Sequence, residues 1–170
     1  MPTAQDALLL LRVSFSALRV QYLLRCAPSV DNPALEWFDG HLRSALSCIS
    51  DTQWLQASLP IKHGGLGIRQ VRSLVLPAFL ASAASTSDLQ SRILSASVCT
   101  TDTYFDSFLL AWQTAHGPLS PADLLPAKQS FWDKPCSILL SRAAMESAIS
   151  DPCQKARFLA SVALIVETGC

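Results

Sequence analysis

The stretch Trp54-Leu55-Gln56-Ala57-Ser58-Leu59-Pro60-Ile61-Lys62-His63-Gly64-Gly65-Leu66-Gly67-Ile68-Arg69 decides how the sequence divides into structural parts. Pro60 disfavours helical backbone at Leu59, so a preceding helix should end there. Glycines allow positive φ or a close approach of the chain, while Leu66 and Ile68 can anchor the turn in a core. The stretch therefore predicts a stiff, specified turn rather than a flexible linker, formed by Gly64, Gly65 and Gly67.

Upstream of this turn, apolar residues recur at helical spacing. Residues 5–25 predict one long helix with two apolar faces, and such a helix should be sandwiched between layers. Asp31-Asn32-Pro33 predicts the start of a second helix, because a capping residue precedes proline at the first helical position. A short helix capped by Asp51 or Thr52 should then run to the glycine turn.

Downstream, residues 69–84 predict an apolar helix that Pro77 kinks or splits. Residues 85–88 predict a break and a new cap, and further helices are expected over 103–116 and 131–149, where Pro135 can interrupt the second. Because no stretch alternates with a period of two, the fold class should be all-α, an irregular helical bundle in two packed parts joined by the Gly-rich turn.

The small polar residues 97–102 mark the expected division of the chain. One helical unit should cover 1–97, including the Gly-rich turn at 60–69, and a second should cover 98–170. The sequence stops without a helix-ending signal after Val166, which predicts that the second unit is truncated.

Composition limits the classes of partner. The chain has 170 residues, 50% of them apolar and 15% charged, and its formal net charge is zero. This excess of apolar residues predicts that part of the surface is covered by another chain or by missing sequence. The zero net charge excludes a global basic field, so nucleic-acid binding would depend on a local patch.

Two further features bear on location. The apolar runs 73–84 and 158–166 are too short to span a bilayer, and the N-terminus has no basic leader. A soluble intracellular protein with no membrane contact is expected, in the nucleus or the cytoplasm.

The six cysteines form no Cys-x-x-Cys pair, and no histidine lies at metal-ligand spacing from them. A disulfide framework stays open from the even count, but reduced and mostly buried thiols are the favoured interpretation. No metal or cofactor is expected.

Catalytic motifs were sought and not found. The glycines are followed by Ile68-Arg69 rather than by the lysine and hydroxyl of a phosphate-binding loop. No Gly-x-Ser-x-Gly elbow supplies a nucleophile. The segment Tyr104-Phe105-Asp106-Ser107 lacks the second aspartate of a polymerase signature. The sequence thus predicts no catalytic residue.

A local basic patch is the one feature that points to a ligand. Lysine and arginine beside backbone amides at a turn and a helix start suit phosphate contacts. The alternative is ordinary surface charge, with Arg12 or Arg19 pairing with Glu36 or Asp39. We define the cationic set as the expected nucleic-acid-binding residues, Arg12, Arg19, Lys62, His63, Arg69 and Arg72.

Several segments together resemble the region downstream of the reverse transcriptase domain in non-LTR (LINE-type) retrotransposon proteins. The main match is Trp54, then Leu59-Pro60 and Gly64-Gly65-Leu66-Gly67-Ile68-Arg69, followed by Pro77-Ala78-Phe79-Leu80-Ala81-Ser82. Weaker matches are Leu9-Leu10-Leu11-Arg12, Tyr22-Leu23-Leu24-Arg25, Phe131-Trp132-Asp133-Lys134-Pro135 and Lys155-Ala156-Arg157-Phe158-Leu159-Ala160-Ser161. Nearly the whole chain is covered.

The resemblance implies the thumb and C-terminal linker of such a protein. In the family, the catalytic palm carries paired aspartates and binds the metals, and this chain contains no such motif. The helices after the palm help to hold the primer–template duplex through its backbone. The expected function is therefore a transposable-element fragment that is catalytically silent and binds RNA or an RNA–DNA duplex through phosphates. The missing palm or another protein is an expected partner on exposed apolar surface. The rival hypothesis is a helical protein–protein interaction module with no nucleic-acid binding.

Overall fold

A computed structural model describes residues 3–46, 50–94, 103–119 and 125–148, with three short pieces at 152–153, 155–156 and 159–160. All regular structure in these residues is helical and no strand occurs among them, so the predicted all-α class is confirmed. The α-helices are α1 Ala4–Leu10, α2 Gln21–Cys26, α3 Pro33–Ala45, α4 Asp51–Ser58, α5 Val71–Leu94, α6 Thr103–His116 and α7 Gln129–Ala148. A π-helical turn covers Leu11–Phe15, and 3₁₀ turns cover Ala17–Arg19 and Ile61–His63.

The chain forms two compact units, each assembled from separated segments. Unit 1 comprises Met1–Val20, Asp31–Arg72 and Ser137–Cys170, and unit 2 comprises Gln21–Val30 and Ser73–Cys136. The boundary expected from the sequence at 97/98 lies outside the described residues.

Unit 1 has a core built around the stretch from Trp54 to Arg69. Leu42, Trp54 and Ile68 are buried together, and Leu8 and Leu11 pack against them. A second cluster joins the end of α4 to α7 through buried Leu59 and Ala144. Ile68 and Leu59 are fully buried, so both ends of the glycine turn are held in the core of this unit.

Unit 2 has an aromatic core. Trp132 is completely buried and packs with Trp112, Leu80 and Ala81. The indole of Trp132 donates to the carbonyl of Pro126 at 2.7 Å, and the indole of Trp112 donates to the carbonyl of Trp132 at 3.2 Å. Both buried indole N–H groups are therefore satisfied, as buried tryptophans require.

The expected helix over 5–25 is not continuous. Ser16 has extended backbone (φ −83°, ψ −167°), and its buried hydroxyl donates to the carbonyl of Arg12 at 2.5 Å. The extended backbone at Ser16 interrupts the helix, and the hydroxyl bond holds the side chain against the preceding turn. The sandwiched-helix prediction is also wrong, because large apolar residues of this segment are exposed: Leu9, Leu10, Val13, Phe15, Leu18, Tyr22 and Leu23.

One segment of the described chain, Ala4–Cys26, is long and apolar enough to cross a membrane by length and composition alone. It has 23 residues and a mean hydropathy of 1.4. One apolar segment of this kind, interrupted here at Ser16, is weak evidence for a membrane protein, and the described chain is compatible with a soluble one.

Helix α5 continues through Pro77, so it is not split there, and it also continues through residues 85–88, where a break was expected. The break expected at 85–88 does not occur because the hydroxyls there bond to carbonyls of their own helix. Ser85 and Thr86 donate to Ser82 at 2.8 and 2.9 Å, and Ser87 donates to Ala84 at 3.2 Å. Side-chain bonding of this kind leaves the backbone ladder intact. Helix α7 likewise continues through Pro135.

The helix starts were predicted more accurately. Asn32 caps α3, accepting from the amide of Ala34 at 2.9 Å, and proline follows at the first helical position, as predicted. Helix α4 begins one or two residues earlier than expected, because Ser50 rather than Asp51 or Thr52 is its cap. Ser50 forms a capping box with Gln53.

Candidate nucleic-acid interface at the glycine turn

The glycine turn folds back onto the end of α4. The amides of Leu66 and Ile68 donate to the carbonyl of Ala57 at 3.2 and 3.3 Å, and the amide of Gly67 donates to Leu59 at 3.0 Å. The last carbonyls of an α-helix have no partner within the helix and must find one elsewhere. The turn therefore completes the hydrogen bonding of α4, which makes it a fixed part of unit 1.

This path requires glycine for two different reasons. Gly64 and Gly67 have positive φ angles of 78° and 74°, which side chains disfavour. Gly65 instead lies against the chain that it folds back on. A Cβ added there would lie 2.6 Å from the Cβ of Leu59 and closer still to the Leu59 carbonyl oxygen. The predicted stiff turn is thus a consequence of backbone packing as well as of backbone angles.

Arg12 lies directly beside this turn. A Cβ added to Gly67 would be 3.1 Å from the guanidinium Nε of Arg12 and 3.5 Å from its Cζ. The side chain thus covers the open face of the glycine, while the residue as a whole is exposed. Residues 12 and 67 are far apart in sequence, and the packing of Leu8 and Leu11 against the Ile68 cluster brings their segments together.

Two members of the cationic set lie on the turn itself. Lys62 and His63 belong to the 3₁₀ turn Ile61–His63, which Gly64 ends in the left-handed conformation. Lys62 is exposed, so its ammonium is accessible to a ligand, whereas His63 is half-buried. Lys62 and Arg12 are therefore the accessible cations at the glycine turn among the described members of the set.

Arg69 has a structural contact. Its side chain is half-buried, and Nη2 donates to the hydroxyl of Ser137 at 3.4 Å. Ser137 is almost fully buried, so this bond ties the end of the turn to α7 within unit 1. Arg69 therefore acts in part as a packing residue, and its removal would disturb the fold as well as any ligand contact.

The start of α5 is already occupied by a carboxylate. Asp39 of α3 accepts from the amide of Val71 at 2.7 Å and from the amide of Arg72 at 3.1 Å. Burial raises the pKa of Asp39 above its ordinary value, although the two backbone bonds and the charge of Arg72 oppose this. These amides were expected to face phosphate, and that expectation is wrong because Asp39 takes them.

The sequence did not predict that Asp39 caps the start of α5. Asp39 lies 32 residues before Val71, and no local pattern links a mid-helix aspartate to the start of a distant helix. Arg72 itself is exposed, so its side chain faces solvent beside this capped start. Arg19 is exposed at the end of the 3₁₀ turn Ala17–Arg19, and no described contact brings it to the glycine turn.

A shallow cleft of about 390 Å³ lies between α4 and the turn. The described residues that line it are uncharged and include Gln53, Gln56, Gly64 and Leu66. A buried anion requires cations or converging donors, which this lining does not offer. Any phosphate contact at the turn would therefore be made by exposed cations rather than inside the cleft.

The described cysteines differ from the predicted buried thiols. Cys26 and Cys153 are exposed, and Cys136 is half-buried. Cys48, Cys99 and Cys170 lie outside the described residues. Over the residues that the structure describes, no group of three or more histidine, cysteine or acidic side chains could hold a metal ion.

Comparisons with protein-family models, with curated proteins and with solved structures found no match to this chain.

Proposed function

We propose that this chain is a helical, non-catalytic module that binds the backbone of RNA or of an RNA–DNA duplex. It would correspond to the thumb and linker that follow the palm in non-LTR retrotransposon reverse transcriptases. The proposal is supported chiefly by the position of the Arg12 guanidinium beside Gly67. This places an exposed arginine next to a rigid turn that already carries exposed Lys62.

Rigid placement matters because phosphate contacts position a duplex without reading its sequence. The turn is fixed by bonds from three of its amides to α4, so its cations keep their spacing when a ligand binds. Each side chain still loses conformational freedom on binding, but the backbone beneath it does not. A module with few such cations should bind weakly, with an affinity that falls steeply with salt.

The Asp39 carboxylate shapes the proposal. It accepts the hydrogen bonds of two α5 amides and places a negative charge near Arg72, so the helix start contributes little to anion binding. The binding residues we propose are accordingly the exposed side chains of Arg12, Lys62 and Arg72. His63, Arg69 and Arg19 are secondary members, because the first two are half-buried and the third has no described contact with the turn.

Fluorescence anisotropy with a short labelled RNA–DNA hybrid at low salt tests this proposal. The Arg12→Gln, Lys62→Gln, Arg72→Gln triple variant removes the exposed cations and leaves the Arg69–Ser137 bond in place. We expect the affinity of the variant to fall by at least tenfold, since each lost phosphate contact weakens the electrostatic attraction.

A matched control removes the same charge elsewhere. Arg25, Lys128 and Lys134 belong to unit 2 and are exposed, so their replacement by glutamine also lowers the net charge by three. This variant should bind almost as well as the unmodified chain. Equal loss in both variants would show non-specific charge attraction, and absence of binding at low salt would refute the proposal.

A second function, docking on another protein with no nucleic-acid binding, is favoured by a different observation. Leu9, Leu10 and Val13 in unit 1 each expose more than half of their surface, at 59%, 53% and 54%. Contiguous exposed apolar side chains of this size mark interaction surfaces. The missing palm of the same protein is the partner that the resemblance implies, and the setting would be intracellular.

Sedimentation velocity over a range of concentrations distinguishes the two functions. A concentration-dependent oligomer that Leu9→Gln and Leu10→Gln abolish, in a chain that fails to bind the hybrid, would support the docking function. A monomer that binds the hybrid would support the backbone-binding function.

A further inference from the structure

Unit 2 contains a thiol and an imidazole in direct contact. The Sγ of Cys136 lies 3.2 Å from the Nε2 of His116, a normal separation for a hydrogen bond to sulfur. His116 is the last residue of α6, and Cys136 lies one residue after Pro135 in α7. The two residues are separated by 20 positions, so the pair is made by the packing of α6 against α7 and not by local sequence.

The surroundings favour His116 as the acceptor of the thiol proton. The carbonyl of Trp132 is a second acceptor near the sulfur, and it is farther away at 3.5 Å. That carbonyl already accepts from the indole of Trp112 at 3.2 Å. The imidazole packs against the same indole, with ring centroids 5.1 Å apart, which limits its rotation and holds Nε2 on the sulfur.

The protonation state of the imidazole is consistent with this role. Burial lowers the pKa of His116 below its ordinary value, so the ring is neutral at neutral pH. Its Nδ1 is buried and has no hydrogen-bond partner among the described residues. A neutral imidazole with its proton on Nδ1 has a lone pair on Nε2, so it can accept the thiol proton there.

We propose that Cys136 and His116 form a reactive thiol–imidazole pair that is a modification site for soft carbon electrophiles. Neither residue belongs to the cationic set, so this inference is independent of the proposed nucleic-acid binding. Cys136 is half-buried, so part of the residue is exposed to solvent. A thiol without a neighbouring base reacts only through the small fraction that is already thiolate.

The chemical step is a substitution at carbon. With iodoacetamide, the sulfur of Cys136 attacks the methylene carbon, an S–C bond forms, and the C–I bond breaks with both electrons leaving on iodide. The thiol proton passes to Nε2 of His116 and then to water. The product is a thioether, and no oxidant or reductant is consumed.

Competitive alkylation of the native chain tests the pair. Limiting iodoacetamide is added at neutral pH, the reaction is quenched at intervals, and the labelled fraction of each cysteine is followed by peptide mass spectrometry. We expect half-buried Cys136 to react about tenfold faster than exposed Cys26 and Cys153, because a positioned base accelerates proton loss. A rate for Cys136 below those of both exposed cysteines would overturn the proposal.

Two histidine variants isolate the imidazole. His116→Gln keeps a polar side chain but cannot take the proton. It should lower the alkylation rate of Cys136 by about tenfold and leave the rates of Cys26 and Cys153 unchanged. His41→Gln is the control, because His41 is exposed on α3 and its Nδ1 bonds only to the carbonyl of Trp37 in the described contacts. An unchanged Cys136 rate in folded His116→Gln would also overturn the proposal. If that variant does not fold, the comparison of alkylation rates among the three cysteines of the unmodified chain still tests the proposal.

Discussion

Replacing Gly65 by alanine puts a methyl group where the chain has no room for one. The added Cβ would lie 2.6 Å from the Cβ of Leu59 and would overlap the Leu59 carbonyl, which is backbone and cannot rotate away. Leu59 is itself fully buried, so relief requires the turn to move off α4. Overpacking of this kind costs about 1–3 kcal/mol. Breaking the bond from Gly67 to Leu59 adds about 1 kcal/mol, giving a loss of about 3 kcal/mol.

Urea denaturation followed by circular dichroism measures this loss. With a urea dependence of about 2 kcal/mol per molar, a loss of about 3 kcal/mol lowers the midpoint by about 1.5 M. Native-state hydrogen exchange adds a local readout, because the amides of Leu66, Gly67 and Ile68 should lose protection selectively.

Gly40→Ala is the matched control for this prediction. Gly40 lies inside α3, and a Cβ added there would meet nothing within 4 Å. Alanine in place of a helical glycine should raise the stability by about 0.5–1 kcal/mol. A Gly65→Ala variant as stable as the unmodified chain, with its turn amides still protected, would refute the close contact between turn and helix.

Three other predictions follow from hydrogen bonds that the structure describes. Asp39→Ala should lower the free energy of unfolding, measured by thermal melts, by about 2 kcal/mol, because the amides of Val71 and Arg72 lose their acceptor. Asp39→Asn should lower it by less, because asparagine keeps one acceptor oxygen. Since the pKa of Asp39 is raised in the folded state, there is a pH range in which the native state keeps the proton of Asp39 and the unfolded chain has lost it. The stability of the unmodified chain relative to Asp39→Asn should therefore fall as pH rises from about 4 through the folded pKa, and a rise would contradict the buried environment. Trp132→Phe should cost about 1–3 kcal/mol because it leaves the Pro126 carbonyl without its donor, whereas exposed Trp37→Phe should change the urea midpoint little; equal effects would contradict the aromatic core.

Features set by local chemistry could be predicted from the sequence. The start of α3 follows from Asn32 and Pro33, because a cap and a fixed φ act within one turn. The glycine turn follows from the spacing of its glycines after Pro60. The all-α class follows from the helical period of the apolar residues, which extends over most of the chain.

Features set by packing between distant segments could not be predicted. The bond of Asp39 to α5, the contact of Arg12 with Gly67 and the pair of Cys136 with His116 each join residues far apart in sequence. Propensity arguments also misjudged residues 85–88. Serine and threonine favour turns locally, but here their hydroxyls bond within α5, and the helix continues.

The salt dependence of binding tests the central proposal most directly. Anisotropy titrations with the RNA–DNA hybrid between about 50 and 200 mM salt give the slope of log affinity against log salt, which counts phosphate contacts. The Arg12→Gln, Lys62→Gln, Arg72→Gln variant should have a slope smaller by about 3 than the Arg25→Gln, Lys128→Gln, Lys134→Gln control. Equal slopes for the two variants would contradict a phosphate-binding role for the glycine turn.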